Sequence, residues 1–186
     1  MKKTRLSEYD SPRTGGLIAI NLREDDEVIA ARLVSEDDDL LLVSRGAQSI
    51  RFTASDEAMR PMGRATSGVI GMRFLDGDEL LAMNRIADGD NVLIATEGGY
   101  AKRTPVDQYP LQGRGGKGVL TAKIVSARGK LVGAVMVRPE DEVFAIHVRR
   151  RGYPTSAGEI KQSGRQTMGV RLMNLAEGDS VVCAGP

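Results

Sequence analysis

The sequence predicts an all-β protein built as a propeller-like array of four-stranded blades. Three observations predict it. A segment repeats with a period near 51 residues. The apolar runs are short and separated by glycine or acidic turns, as in a chain of many short strands. No stretch carries the i, i+3, i+4, i+7 apolar stripe of a long amphipathic helix.

The repeat is read from four segments: PRTGGLIAINL from Pro12, GRATSGVIGMRF from Gly63, GRGGKGVLTAKI from Gly113 and GRQTMGVRLMNL from Gly164. Their last glycines are Gly16, Gly68, Gly118 and Gly169, at intervals of 52, 50 and 51 residues. Four residues past each glycine stand Ile20, Met72, Ala122 and Met173; six past it stand Leu22, Phe74, Ile124 and Leu175. Between them lie Asn21, Arg73, Lys123 and Asn174. This in, out, in alternation is the pleat of a half-buried strand, and the glycine allows a sharp turn into it.

Each repeat continues in the same order. An acidic or glycine turn leads to a second strand, expected at VIAARLV from Val28, LLAMNRI from Leu80 and LVGAVMV from Leu131. A third follows at LLLV from Leu40, VLIA from Val92 and VFAI from Val143. A fourth, with basic character, is expected around Ile50–Thr53 and Ala101–Thr104. Four strands per period is the size of a propeller blade. The blade repeats run roughly over 12–62, 63–112 and 113–163, with a partial blade at 164–186. The chain has no Trp, so the WD40 and kelch patterns fail. The ends do not coincide with blade ends, so the chain is expected to be cut from a longer array and to expose apolar ends.

Composition narrows the chemistry. The chain has 186 residues and a formal net charge of +1, with 41% hydrophobic and 27% charged residues. The lone Cys183 allows no internal disulfide and no cysteine zinc site. His147 is the single histidine, beside Arg149, Arg150 and Arg151, and is expected on the surface. No apolar run approaches a membrane span, and the basic start lacks the apolar core of a secretory signal. The carboxylates Glu24–Glu27 and Glu36–Asp39 read as solvated turn acids and lack the EF-hand pattern. No catalytic residue, metal site or cofactor site is expected in this chain. Gly113–Gly118 formally fits G-x-G-x-x-G, but a strand follows where a dinucleotide site needs a helix. A Walker A loop needs Ser or Thr after Lys117, where Gly118 stands.

A different phosphate role fits QGRGGKG, from Gln112 to Gly118. Its glycines keep the backbone bare, so N–H groups can approach phosphate oxygens, and Arg114 and Lys117 add positive charge. A basic residue recurs in this column as Arg13, Arg64 and Arg165. The charge is also segregated. Asn21–Leu42 holds eight acids against two bases, whereas Ala101–Lys130 holds seven bases against Asp107 alone. Repeated basic positions in a blade array would form one curved positive band, suited to a DNA backbone. With three Phe and four Tyr, single-strand stacking platforms are not expected. The expected mode is duplex DNA held by phosphate contacts and bent.

These residues, above all QGRGGKGV at Gln112–Val119, resemble the C-terminal domain of the DNA gyrase A subunit. The phrases RPMGRATSGVIGMRF, GGYAKRTPVDQYPLQGRGGKGVLT and GRQTMGVRLMNL look like its actinobacterial branch. The resemblance implies a β-pinwheel of six blades that exchange strands, of which this chain would hold about 3.5. It implies duplex DNA wrapped on the rim, in a cytoplasmic holoenzyme of two A and two B subunits. That holoenzyme uses ATP and Mg, bound outside this chain, to introduce negative supercoils. The DNA-contacting residues it implies are Gln112, Arg114, Gly115, Gly116, Lys117 and Gly118, with Arg64, Arg165, Lys102, Arg103 and Arg51. Two departures stand out: Gly113 replaces the first basic residue of the family's box, and the third hairpin reads VRRRGYPTS instead of TEGGYAKRT. None of the four tyrosines resembles the family's strand-cleaving tyrosine. The alternatives are the equivalent domain of topoisomerase IV and a propeller-like protein-interaction module.

Overall fold

The glycine column behaves as its spacing predicts. Gly16, Gly68, Gly118 and Gly169 take φ values of 78°, 87°, 74° and 77°, in the left-handed region that a Cβ disfavours. The computed structural model describes residues 1–148 and 152–185, which are all-β with short 3-10 turns. The basic cluster Arg149–Arg151 lies outside the described residues.

Three antiparallel sheets follow one another along the chain. In the first, β1 (Asp39–Ser44) and β2 (Gln48–Thr53) form a hairpin. β3 (Leu80–Arg85) lies on the outer side of β1, and β6 (Val119–Leu120) on that of β2. In the second, β4 (Asn91–Thr96) and β5 (Tyr100–Pro105) form the hairpin, flanked by β7 (Leu131–Val137) and β10 (Val170–Arg171). In the third, β8 (Glu142–His147) and β9 (Gly152–Ser156) pair, and β11 (Val181–Gly185) flanks β8. Each four-stranded sheet therefore takes its hairpin from one sequence repeat, a strand from the next, and a two-residue strand from the one after. Blades exchange strands, as the family resemblance implied.

The central strands β1 and β4 are buried on both faces, which explains their unbroken apolar runs, whereas β8 buries one face only. Leu41 and Val43 of β1 pack with Val92 and Ile94 of β4 between the first two sheets. Leu93 and Ala95 point the other way, to Val143 and Ala145 of β8. Leu40 and Leu42 meet Ile50, Phe52 and Met72 on the first sheet's other face. This even–odd division stacks the sheets in chain order.

Three expectations are corrected. The strand expected past each column glycine is short or absent: β6 and β10 end two residues past Gly118 and Gly169, and no strand directly follows Gly16 or Gly68. No strand forms at Val28–Val34. That segment occupies the column of β3 and β7, which lie against the hairpin of the preceding repeat. Met1–Thr4 occupies the place of such a hairpin's outer strand but forms no strand. Met1 accepts from the Val69 amide at 2.7 Å and donates its amino group to the Val69 carbonyl at 2.9 Å. The apolar column six past each glycine is also not uniformly buried. Ile124 and Leu175 are half-buried, whereas Leu22 and Phe74 are exposed.

Cations of the hairpin's outer strand hold neighbouring repeats together. Arg51 makes a two-point contact with Asp39, at 2.9 and 2.7 Å, and donates to the Tyr109 carbonyl at 3.2 Å. Its counterpart Arg103 donates to the carbonyls of Ile160, at 2.8 Å, and Gly158, at 3.2 Å. Lys102 is fully buried, and its Nζ donates to the carbonyls of Gly164, at 2.6 Å, and Arg165. Lys2 makes the same pair of contacts with Gly63 and Arg64. Burial, aided by the nearby Arg165 charge, brings the Lys102 pKa down to about 8.

Two outcomes follow from this packing. A Cβ at Gly118 would collide with the Ser49 carbonyl, and one at Gly169 would sit 2.7 Å from that of Ala101. Gly118→Ala and Gly169→Ala should each destabilise the chain by at least about 1–2 kcal/mol in urea unfolding. The Lys102 titration has a defined sign. Its folded pKa lies below its unfolded one, so the unfolded state holds more protons between pH 8 and 10.5. Stability relative to Lys102→Met should therefore rise across that window, by an amount on the order of 1–3 kcal/mol. Parallel pH profiles for the two proteins would contradict the burial of this ammonium.

Candidate nucleic-acid interface

Three loops, 63–68, 113–118 and 164–169, stand at equivalent places on consecutive repeats. Each is fixed to the segment that follows the column glycine of the repeat before it, by two contacts of the same kind. The first is an arginine. Arg64 Nη1 donates to the Ile18 carbonyl at 2.8 Å, Arg114 Nη1 to that of Ile70, and Arg165 Nη1 to that of Leu120 at 2.7 Å. Ile18, Ile70 and Leu120 each lie two residues past a column glycine. The second is a main-chain amide. Asn21, Arg73 and Lys123 donate theirs to the carbonyls of Thr66, Gly116 and Thr167, at 3.1, 2.9 and 3.2 Å. The recurring arginine is thus first a positioning group. It uses one or two of the five guanidinium N–H groups and leaves the others free.

No carboxylate neutralises these loops. Among the described residues, none of Arg64, Arg114, Lys117 or Arg165 forms an ion pair. Several acids are committed elsewhere. Asp39 pairs with Arg51. The Asp38 carboxylate accepts from the Ser35 amide at 2.7 Å, which holds its pKa below the usual carboxylate range. Glu24–Glu27 are exposed at their turn.

The glycine-rich loop has its own conformation. Gly115 takes φ 84° and donates its amide to the Gly71 carbonyl at 2.8 Å. Arg114 is anchored twice, its Nε reaching the Ala58 carbonyl at 2.8 Å. Lys117 and Gly116 are exposed. Gln112 is half-buried beneath the loop, with its amide on the Arg51 carbonyl at 2.8 Å. Gly118 leads into β6, a strand, so the loop faces no helix N-terminus and is not built as a nucleotide P-loop.

Not every expected residue reaches this edge. Arg64, Arg114, Gly115, Gly116, Lys117, Gly118 and Arg165 share the loop column, with Gln112 beside it. Arg51, Lys102 and Arg103 do not stand free there; the fold uses them as internal ties. His147 is also corrected. It is not a surface histidine: its side chain is 16% exposed and its Nδ1 lies 3.0 Å from Asp179 Oδ2.

Other cations join the loops. Arg73 and Lys123 are exposed, and their amides bind the neighbouring loop directly. Their outward phase was visible in the sequence as the polar column between two apolar ones. The cluster of Tyr100, Arg128 and Arg171 had no such signal. Arg128 Cζ lies 3.8 Å from the Tyr100 ring centroid, a cation–π contact, and Arg171 Nη2 donates to the Tyr100 hydroxyl at 3.2 Å. That hydrogen bond lowers the Tyr100 pKa. It arises because β10 pairs with β5, placing Arg171 opposite Tyr100.

Comparison with known proteins agrees with this architecture. The family model "DNA gyrase C-terminal domain, beta-propeller" matches residues 1–35, 38–87, 90–148 and 150–182. The DNA gyrase A subunit of Streptomyces coelicolor is 59% identical over 187 residues, covering 98% of this chain and 22% of that protein. That of Mycobacterium bovis is 55% identical over 182 residues, with the same coverage. The chain thus spans about a fifth of the length of these relatives. A solved gyrase A C-terminal domain superposes with a TM-score of 0.82 at 28% identity, over 91% of this chain and 57% of that one. The C-terminal domain of a topoisomerase IV superposes with a TM-score of 0.91 at 24% identity, over 99% and 57%, which is a likeness of fold. With its exchanged blades, its glycine column and this match along most of its length, the chain belongs to the DNA gyrase C-terminal domain, beta-propeller, family.

Proposed function

We propose that this chain binds duplex DNA along its three stacked loops and bends it around the blade edge. It would thereby serve the gyrase A subunit in the wrapping that precedes ATP-dependent negative supercoiling. The observation that carries this reading is the recurrence of the loop cations. The same arginine contact is rebuilt on each of three repeats, and among the described residues no carboxylate pairs with the cations of these loops. An edge that repeats its charge at each blade offers a bent duplex a phosphate contact at each step. Arg64, Arg114, Lys117 and Arg165 would supply the charge, with Arg73 and Lys123 beside them. The bare amides around Gly115, Gly116 and Gly118 would accept close approach of a phosphate. Arg51, Lys102 and Arg103 would act only through the fold. Strand cleavage, ATP and Mg would belong to the remainder of the gyrase A polypeptide and to its B partner in an A2B2 holoenzyme.

Topoisomerase IV is the less favoured assignment, because the relatives at 55–59% identity are gyrase A subunits. The expected binding has little sequence preference, and its affinity falls steeply as log[salt] rises. Replacing both Arg114 and Lys117 by alanine should weaken binding about equally on unrelated duplexes. It should also reduce the magnitude of the log–log salt slope by roughly 2. Fluorescence anisotropy across a salt series measures both. An unchanged slope, or a loss confined to one DNA sequence, would remove these two residues from the interface.

A further inference from the structure

The three loops share a column but differ in what stands beneath them. Behind Gly68 lies the Lys2 Cβ; behind Gly169 lies the Lys102 Cβ; behind Gly118 lies the Ile50 Cβ, at 3.2 Å from the position a glycine Cβ would take. Loops 63–68 and 164–169 are therefore each held by a lysine whose ammonium binds two successive carbonyls, Gly63 and Arg64 or Gly164 and Arg165. Loop 113–118 meets an aliphatic side chain with no donor.

A second tie differs in the same direction. The Thr66 hydroxyl donates to the Gly63 carbonyl at 2.9 Å, and the Thr167 hydroxyl to the Gly164 carbonyl at 2.7 Å. The third loop has Gly116 in that place. An ammonium shared between two carbonyls fixes the direction of both peptide planes, and a cross-turn hydroxyl fixes one of them again. Without either, the Gly113–Arg114 peptide can rotate at little steric cost, while the Arg114–Gly115 peptide stays tied by the Gly115 amide to the Gly71 carbonyl at 2.8 Å.

We propose that Ile50 is a positioning residue: by withholding the lysine tie, it leaves the Gly113–Arg114 peptide of loop 113–118 free to turn toward a DNA phosphate. The other two loops present fixed cations. The rim then combines two rigid contacts with one adaptive contact, and the adaptive loop is the glycine-rich one. The freedom of the Gly113–Arg114 peptide stands on the hydrogen bonds alone; its use against phosphate rests on the DNA-binding reading.

Hydrogen exchange of the 186-residue chain without DNA tests the first half. The Arg114 amide, in the untied peptide, should exchange about tenfold faster than the Arg64 amide. Ile50→Lys should supply the missing ammonium and slow exchange at the Arg114 amide by a similar factor, leaving the other two loops unchanged. Gly116→Thr restores the hydroxyl tie with Ile50 intact and should act in the same direction. Its Cβ would meet the Ile50 Cδ1 at an ordinary 3.5 Å. Each variant should also weaken duplex binding several-fold at constant salt. If neither substitution slows exchange at the Arg114 amide, the proposal is overturned, whatever the DNA affinity. Slowed exchange with unchanged affinity overturns the adaptive role. Failure of the unmodified chain to bind duplex DNA, with exchange behaving as expected, would refute only the DNA-binding reading.

Discussion

Strand exchange between repeats is the constraint from which the other features follow. A hairpin such as β1–β2 has two open edges, and both are closed by later repeats: β3 on one side, β6 on the other. Closing an edge removes a row of unpaired backbone groups. It also fixes where the next repeat begins its own hairpin. The glycine column is the local condition for this closure, because the chain must pass the preceding hairpin's carbonyl with no Cβ in the way. Gly16 shows the converse: with no hairpin beside it, a Cβ there would meet nothing within 4 Å.

The same closure sets the electrostatics. The two-residue strand that seals each hairpin is preceded immediately by the arginine-bearing loop. Sealing the sheet therefore delivers one cationic loop to the outer edge per repeat. Cations that lie on the hairpin face the next repeat and are consumed as ties, as with Arg51, Lys102 and Arg103. A formal net charge of +1 is thus compatible with a cationic edge. What decides the field at that edge is which cations keep a carboxylate partner and which do not.

Much of this was legible in the sequence, for identifiable reasons. Period, glycine column and central strands were readable because each has one local cause: a positive φ, or burial on two faces. Arg64, Arg114 and Arg165 were readable because their column repeats. The expected strand at Val28–Val34 failed because strand formation there depends on a partner, which local patterning does not encode. Lys102 and Arg103 were misplaced because a basic pair on a short strand looks the same whether it faces solvent or a neighbour's carbonyls. The Tyr100–Arg128–Arg171 cluster joins residues from different repeats through the β5–β10 pairing, so no single segment announces it.

If loops on successive blades face one continuous duplex, site-directed cross-linking will trace its path. Ser67, Lys117 and Met168 hold the same position in the three loops, one residue before each column glycine, and all three are exposed. Single cysteines there, in a Cys183→Ser background, would carry a photoactivatable group against a labelled duplex. Cross-links are expected from all three positions, at sites spaced regularly along one DNA molecule, and none from Asp37→Cys at the acidic turn 36–39. Equal cross-linking from that turn, or cross-links from one loop alone, would refute the shared duplex path.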